Sequence, residues 1–139
     1  MAQSIREVMT PNPTVYSATS SVADAARVMR DTDIGDVLVE RDGALCGIVT
    51  DRDIVVRAVA EDHNATEVHL GDICSRDLAT LAPDDSVEDA ILLMRDKAIR
   101  RLPICEGGQA VGVVSIGDLA VERDSDSALA DICAAQPNT

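Results

Sequence analysis

Short apolar runs alternate with stretches of helical periodicity along this chain. Val22, Ala25, Ala26 and Met29 recur at helical spacing behind Ser21, which predicts a helix entered through a serine cap. Ahead of it, Pro11, Asn12 and Pro13 break the chain, and Thr14, Val15 and Tyr16 form a short β-type run. Two further apolar runs, DVLVE (36–40) and ALCGIVT (44–50), flank Arg41-Asp42-Gly43, a hairpin signal. After Thr50, the residues Ile54, Val55, Ala58 and Val59 share one face of a second helix. The order predicted is strand, helix, strand, strand, helix.

The same order returns. At an offset of 65 residues, Ser21-Val22-Ala23-Asp24-Ala25 falls on Ser86-Val87-Glu88-Asp89-Ala90, and Met29-Arg30-Asp31 on Met94-Arg95-Asp96. Ile34 then meets Ile99, Gly43 meets Gly108, Gly47 meets Gly112, Val49 meets Val114, Asp53 meets Asp118 and Val56 meets Val121. A register kept without insertion marks the second half as a copy of the first. Its elements are a strand in DLATLA (77–82), a helix in SVEDAILLMRDK (86–97), a hairpin of LPICE and AVGVVS about Gly107-Gly108, and a helix in IGDLAVERD. Between the copies, residues 61–77 begin polar and then resemble SIREVMTPN near the N-terminus, with Val68, Leu70 and Ile73 as a short apolar face. This reads as a linker and a lead-in helix. The grouping expected from the repeat is 1–62, first copy with its lead-in helix; 63–126, linker, second lead-in and second copy; and 127–139, an amphipathic helix through Leu129 and Ile132 before a frayed end. That helix is expected to cover the core or a partner subunit. Neither copy of about 60 residues buries much alone, so the two are expected to pack on each other.

Composition narrows the function. The 139 residues are 46% hydrophobic, enough for a buried core, and Tyr16 is the one aromatic residue. The core, and the walls gripping any flat ligand, must therefore be aliphatic. A net charge of -13 opposes approach to nucleic acid or an anionic membrane, so neither is an expected partner. No run of about 18 apolar residues can span a bilayer, and MAQSIREVM is no secretory signal, which predicts a cytoplasmic protein. Cys46, Cys74, Cys105 and Cys133 form no Cys-x-x-Cys, so they read as free thiols in a reducing compartment, with a disulfide or redox role as the alternative. His63, His69 and Cys74 cluster around the linker, but their spacing fits no standard zinc pattern; a metal role stands as an alternative. Neither repeat holds a histidine, and both the Gly-x-Ser-x-Gly elbow and a Walker-type loop are missing, so no enzyme is predicted.

Candidate binding chemistry starts from a common pattern. Ser or Thr followed three residues later by an acid occurs at Ser4/Glu7, Ser21/Asp24, Thr50/Asp53, Ser86/Asp89 and Ser115/Asp118, and each is readable as a helix cap. Two differ in position: GIVTDRDI and GVVSIGDL stand at equivalent places where an apolar strand ends and a helix begins. Ligands of α/β folds gather at such strand ends. A carboxylate there can accept both hydrogens of a cis-diol such as ribose, beside the hydroxyl of Thr50 or Ser115. A nucleoside ligand is the natural guess.

Two strand-helix-strand-strand-helix copies, each ending in Gly-apolar-apolar-Ser/Thr-x-x-Asp-apolar, resemble the paired CBS domains, named for cystathionine β-synthase, and IRRLPI matches the family's central strand motif. The resemblance runs from about Ile5 to Arg123, and TDRDIVVRA is especially similar to small stand-alone bacterial members, hypoxic stress-response proteins among them. It implies an α/β fold with the repeats packed through their sheets about a pseudo-two-fold axis, two clefts, and a homodimer. It also implies a regulatory module that binds AMP, ADP, ATP or S-adenosylmethionine without chemistry and signals to an unidentified protein partner. Carried over by residue, one cleft takes Thr50 and Asp53 with Ile99, Arg100 and Arg101 of the other repeat, and Leu78 and Ala79 near the base. The other takes Ser115 and Asp118 with Ile34, Gly35 and Asp36, and Pro13 and Thr14 near the base. Two guanidinium groups suit phosphate and Asp36 repels it, so the first is expected to be the tighter. Leu38 departs from the motif where the second copy has Pro103. The alternative is a ligand-free dimer that only binds another protein.

Overall fold

The computed structural model describes residues 4–76 and 78–123, with 132 and 135. Its elements are β1 (Thr10–Pro11), β2 (Val15–Ser17), α1 (Val22–Thr32), β3 (Asp36–Arg41), β4 (Ala44–Thr50), α2 (Asp51–Ile54), α3 (Leu70–Ile73), α4 (Val87–Lys97), β5 (Arg101–Glu106), β6 (Gln109–Ser115) and α5 (Ile116–Arg123). A 3₁₀ turn spans Ile5–Glu7, and a π-helical stretch over Val55–Val59 prolongs α2. Of the helix expected in 127–139, all but Ile132 and Ala135 lie outside the described residues, Leu129 and Cys133 among them. The fold is mixed α/β with two three-stranded sheets.

The chain divides into two compact units, one of residues 14–78 and one joining the residues up to Pro13 with those from Ala79 onward. In the first, β2 runs parallel to β3, and β3 antiparallel to β4. Val37, Leu38 and Val39 are all buried. Successive strand residues face opposite sides, so β3 is covered on both. Val22, Ala25 and Met29 of α1 join Val37, Val39 and Val49 in the core, which is the helical stripe the sequence shows. Ser21 starts α1 by accepting from the Asp24 N–H at 3.1 Å.

The second unit repeats the plan. β5 pairs antiparallel with β6, and Val87, Ala90 and Met94 of α4 pack with Leu102, Ile104 and Val114. The strand expected in 77–82 reduces to one bridge, Leu81 parallel to Ile104, the equivalent of Tyr16 against Val39. Thr14-Val15-Tyr16 offers β-branched and aromatic side chains, whereas Ala79-Thr80-Leu81-Ala82 offers little β propensity.

Each unit contains the lead-in that precedes the other repeat in the chain. Ile5 and Arg6 N–H groups donate to the Asp85 and Pro83 carbonyls at 2.8 and 2.9 Å, and Leu70 and Gly71 donate to Ser20 and Ala18, both at 2.9 Å. These are the same bonds at an offset of 65. β1 pairs with β6 through Thr10 and Val113, and Ser75 bridges Ile48 in the same way. Gly112 and Gly47 admit these segments. A Cβ on Gly47 would lie 2.6 Å from Cys74 Sγ and 3.0 Å from the Ser75 carbonyl oxygen, and one on Gly112 would lie 2.6 Å from Met9 Sδ and 2.9 Å from the Thr10 carbonyl oxygen. Gly47 and its copy Gly112 are thus required by the close approach of the exchanged segments.

Candidate functional site

β4 hands the chain directly to α2 at Thr50. Its Oγ1 accepts from the Asp53 N–H at 3.1 Å, and Asp53 Oδ2 accepts from the Thr50 N–H at 2.9 Å, a reciprocal capping box. Ser115 and Asp118 repeat it at the end of β6, with 3.2 Å to Ser115 Oγ and 2.8 Å to Asp118 Oδ2. The cap predicted from spacing is present in both. It also fixes each carboxylate, because one oxygen is engaged while the other stays outside the box. The Asp53 side chain is 15% exposed, and Arg57, one helical turn on, brings Nε within 3.9 Å of Oδ1. Arg57 is itself held by donating to the Ile73 carbonyl at 3.0 Å. At the position equivalent to Arg57, the second repeat has Glu122.

The strand preceding each hairpin adds its first residues to the same place. Asp36 pairs with Thr50 in the sheet, and the Asp51 N–H donates to the Gly35 carbonyl at 3.0 Å. Arg101 pairs with Ser115, and the Ile116 N–H donates to Arg100 at 2.9 Å. Within its unit, then, the structure brings Gly35 and Asp36 to Thr50 and Asp53, and Arg100 and Arg101 to Ser115 and Asp118. Ile34 is half-buried, its N–H donating to Met29 at 3.3 Å, and Ile99 repeats this bond to Met94 at 3.1 Å. Thr14 accepts from the Leu38 N–H at 2.9 Å; Pro13, Leu78 and Ala79 are half-buried.

A cavity lies between the exchanged lead-in and the last helical segment of each unit. The one in residues 14–78, about 530 Å³, is walled by Val56, Val68 and Ile73 with Arg57, His63 and Asp72 at its edge. Its counterpart, about 380 Å³, opens on Ser115 and Asp118 and is lined by Val8, Val121, Glu7 and Glu122. Four lining positions correspond at the repeat offset: Val56 and Val121, Arg57 and Glu122, Asp72 and Glu7, Ile73 and Val8. The two cavities therefore share four wall positions and carry opposite charge at one of them. Sequence reasoning missed Arg57, Glu122 and Glu7. The spacing of four after each aspartate pointed to the first two; nothing local pointed to Glu7, which arrives with the exchanged segment.

Among the described residues, no group of three or more His, Cys, Asp or Glu is placed to hold a metal ion. His63 borders the larger cavity, the His69 N–H donates to Asp72 Oδ2 at 3.3 Å, and Cys74 is buried at the end of α3. Cys46, Cys74 and Cys105 are free. No helix among the described residues is long and apolar enough to cross a membrane.

Known proteins match this architecture over nearly its whole length. The CBS domain model matches residues 5–60 and again 70–124. The CBS domain-containing protein YhcV of Bacillus subtilis is 35% identical over 123 residues, 88% of this chain and 87% of the relative. The hexameric CBS-CP12 protein from bloom-forming cyanobacteria superposes with a TM-score of 0.79 at 28% identity, covering 89% of this chain and 74% of that one. Hypoxic Response Protein I, solved with two coordinated zinc ions, gives 0.76 at 26% identity, covering 88% and 99%. With two matched copies, the shared strand-end boxes and a relative of this identity, the chain belongs to the CBS-domain family as a tandem pair.

Proposed function

We propose that this CBS pair is a cytoplasmic, non-catalytic sensor that binds an adenosyl ligand (AMP, ADP, ATP or S-adenosylmethionine), with Thr50/Asp53 and Ser115/Asp118 receiving the ribose hydroxyls. The observation that carries this reading is the doubled capping box. Each holds a carboxylate at a strand end with one oxygen spent on the backbone and the other outside the box. The pairs are unequal. Arg57 stands 3.9 Å from Asp53, whereas its counterpart Glu122 lines the cavity of Asp118 and would repel a phosphate. Thr50/Asp53 is the tighter pair, and Ser115/Asp118 prefers an adenosyl group with an uncharged tail. A second copy of the chain is the proposed structural partner, and a further protein would read the ligand state.

Titration calorimetry on the full chain tests the ranking. Asp53→Ala is expected to weaken AMP or ATP binding at least tenfold, about 1.4 kcal/mol, and Asp118→Ala to weaken it less. Equal losses, or a loss with Asp118→Ala alone, would overturn the order. A thermal-shift panel of the four compounds tests the class, since a ligand at a hundred times its Kd stabilises by about 2.7 kcal/mol. A flat panel would leave the ligand-free interaction dimer as the answer.

A further inference from the structure

The seam between β4 and the segment after α3 holds two thiols against each other. β4 carries a bulge: Val39 pairs with Gly47 and Glu40 with Leu45, so Cys46 is the extra residue. Ile48 and Ser75 exchange both backbone hydrogen bonds, at 3.2 and 3.0 Å, which lays the segment after α3 against β4 next to the bulge. Cys74 Sγ lies only 2.6 Å from where a Gly47 Cβ would stand, and Cys74 Cβ 2.9 Å from it, so the sulfur rests on the backbone next to Cys46. Cys46 packs on the core cluster that contains Cys74, close enough for the two thiols and Arg41 to act on one another electrostatically. Cys46 is half-buried and Cys74 buried, and neither is in a disulfide. The bulge recurs in the second unit, where Val111 and Met9 occupy the equivalent places and no such chemistry is available.

We propose that Cys46 and Cys74 are a redox clasp, a dithiol that peroxide converts to a disulfide joining β4 to the end of α3. The more exposed Cys46 thiolate attacks a peroxide oxygen: the S–O bond forms, the O–O bond breaks, and the departing hydroxide takes a proton to leave as water. The sulfur of Cys74, its proton released to solvent, then attacks the sulfenic sulfur of Cys46, and the S–O bond breaks as a second water leaves. Two thiols give up two electrons and hydrogen peroxide accepts them. Burial, and after it the Cys74 neighbour, pushes the Cys46 thiol up, while Arg41 pulls the other way. The ring closed by the link contains Thr50, Asp53 and Arg57, so oxidation would tie down the chain that carries the candidate site. The clasp itself does not depend on that site binding any ligand.

Peptide mapping after treatment of the full chain with hydrogen peroxide tests it, because trypsin places the four cysteines in separate peptides: 42–52, 58–76, 102–123 and 124–139. The expected product is a monomer lacking two hydrogen atoms, with 42–52 joined to 58–76, the other two thiols still alkylatable, and full reversal by dithiothreitol. Cys105→Ser should leave the link intact and Cys46→Ser should abolish it. Linkage through Cys105 or Cys133, covalent dimers, or sulfinic acids with no linked peptide would overturn the proposal. The wild-type map decides it even if Cys46→Ser folds poorly.

Discussion

Ala98 carries a cost its counterpart avoids. It ends α4 in the left-handed region, φ 54°, where the equivalent Asp33 ends α1 at φ 55°. Aspartate tolerates this conformation better than alanine, for which it costs about 1–2 kcal/mol. Ala98 is exposed, so glycine would forfeit no packing there. Ala98→Gly should therefore stabilise the protein by about 1 kcal/mol, read as a higher urea midpoint with an unchanged slope. The thiols set a second residue-scale property. Burial, then Cys74, raises the Cys46 thiol, and burial raises Cys105. A raised thiol pKa means the unfolded chain ionises first. Stability is then complete below the free-cysteine value of about 8.5 and falls as pH climbs through the raised folded values. Urea titrations under reductant between pH 7 and 10 should show this decline, and Cys105→Ala should flatten it. Neither feature was legible in the sequence: Ala98 looks like a good helix former, and nothing in the spacing of Cys46 and Cys74 shows that a bulge turns them together.

At the scale of elements, most of the fold was legible because the hydrophobic period is strong. The stripe Val22, Ala25 and Met29, its copy Val87, Ala90 and Met94, and the two hairpins appear where the pattern puts them. The capping boxes were legible too, since a box is local. The exchange of lead-ins was not, for a reason built into the repeat: two similar segments precede two similar bodies, so either pairing satisfies the pattern. In the observed one, each lead-in comes into close contact at Gly47 or Gly112, and this gives a test. Gly47→Ala drives a methyl to within 2.6 Å of Cys74 Sγ and 2.9 Å of its Cβ. The expected loss is about 1–3 kcal/mol, measured by equilibrium unfolding. Adding Cys74→Ala removes the sulfur but not the Ser75 carbonyl oxygen at 3.0 Å, so it should restore only part. Full restoration, or no loss in the single variant, would mean that the lead-in seats more loosely against β4 than these distances require.

For the whole molecule, two properties pull against each other. A net charge of -13 makes copies of the chain repel. Yet the helical segment after Thr50 turns Val55, Val56 and Val59 outward at 58, 42 and 61% exposure, three β-branched apolar side chains with Val55 and Val59 one turn apart. The sequence pattern puts Val55 and Val59 on one face of an α-helix with Ile54 and Ala58. The π-helical winding of Val55–Val59 changes the angular spacing, and among these residues Ala58 alone is buried. An apolar ridge on so acidic a protein is consistent with contact between copies, as the hexameric CBS-CP12 relative indicates for that protein. Self-association should then strengthen with salt, because screening removes repulsion over about 8–10 Å while leaving apolar burial intact. Sedimentation at low and high salt is expected to show the assembled fraction rising. Val55→Glu with Val59→Glu should abolish assembly at both, with the unfolding midpoint of the dilute protein little changed because neither side chain is in the core. Assembly that survives the double variant would move the interface to another face of the chain.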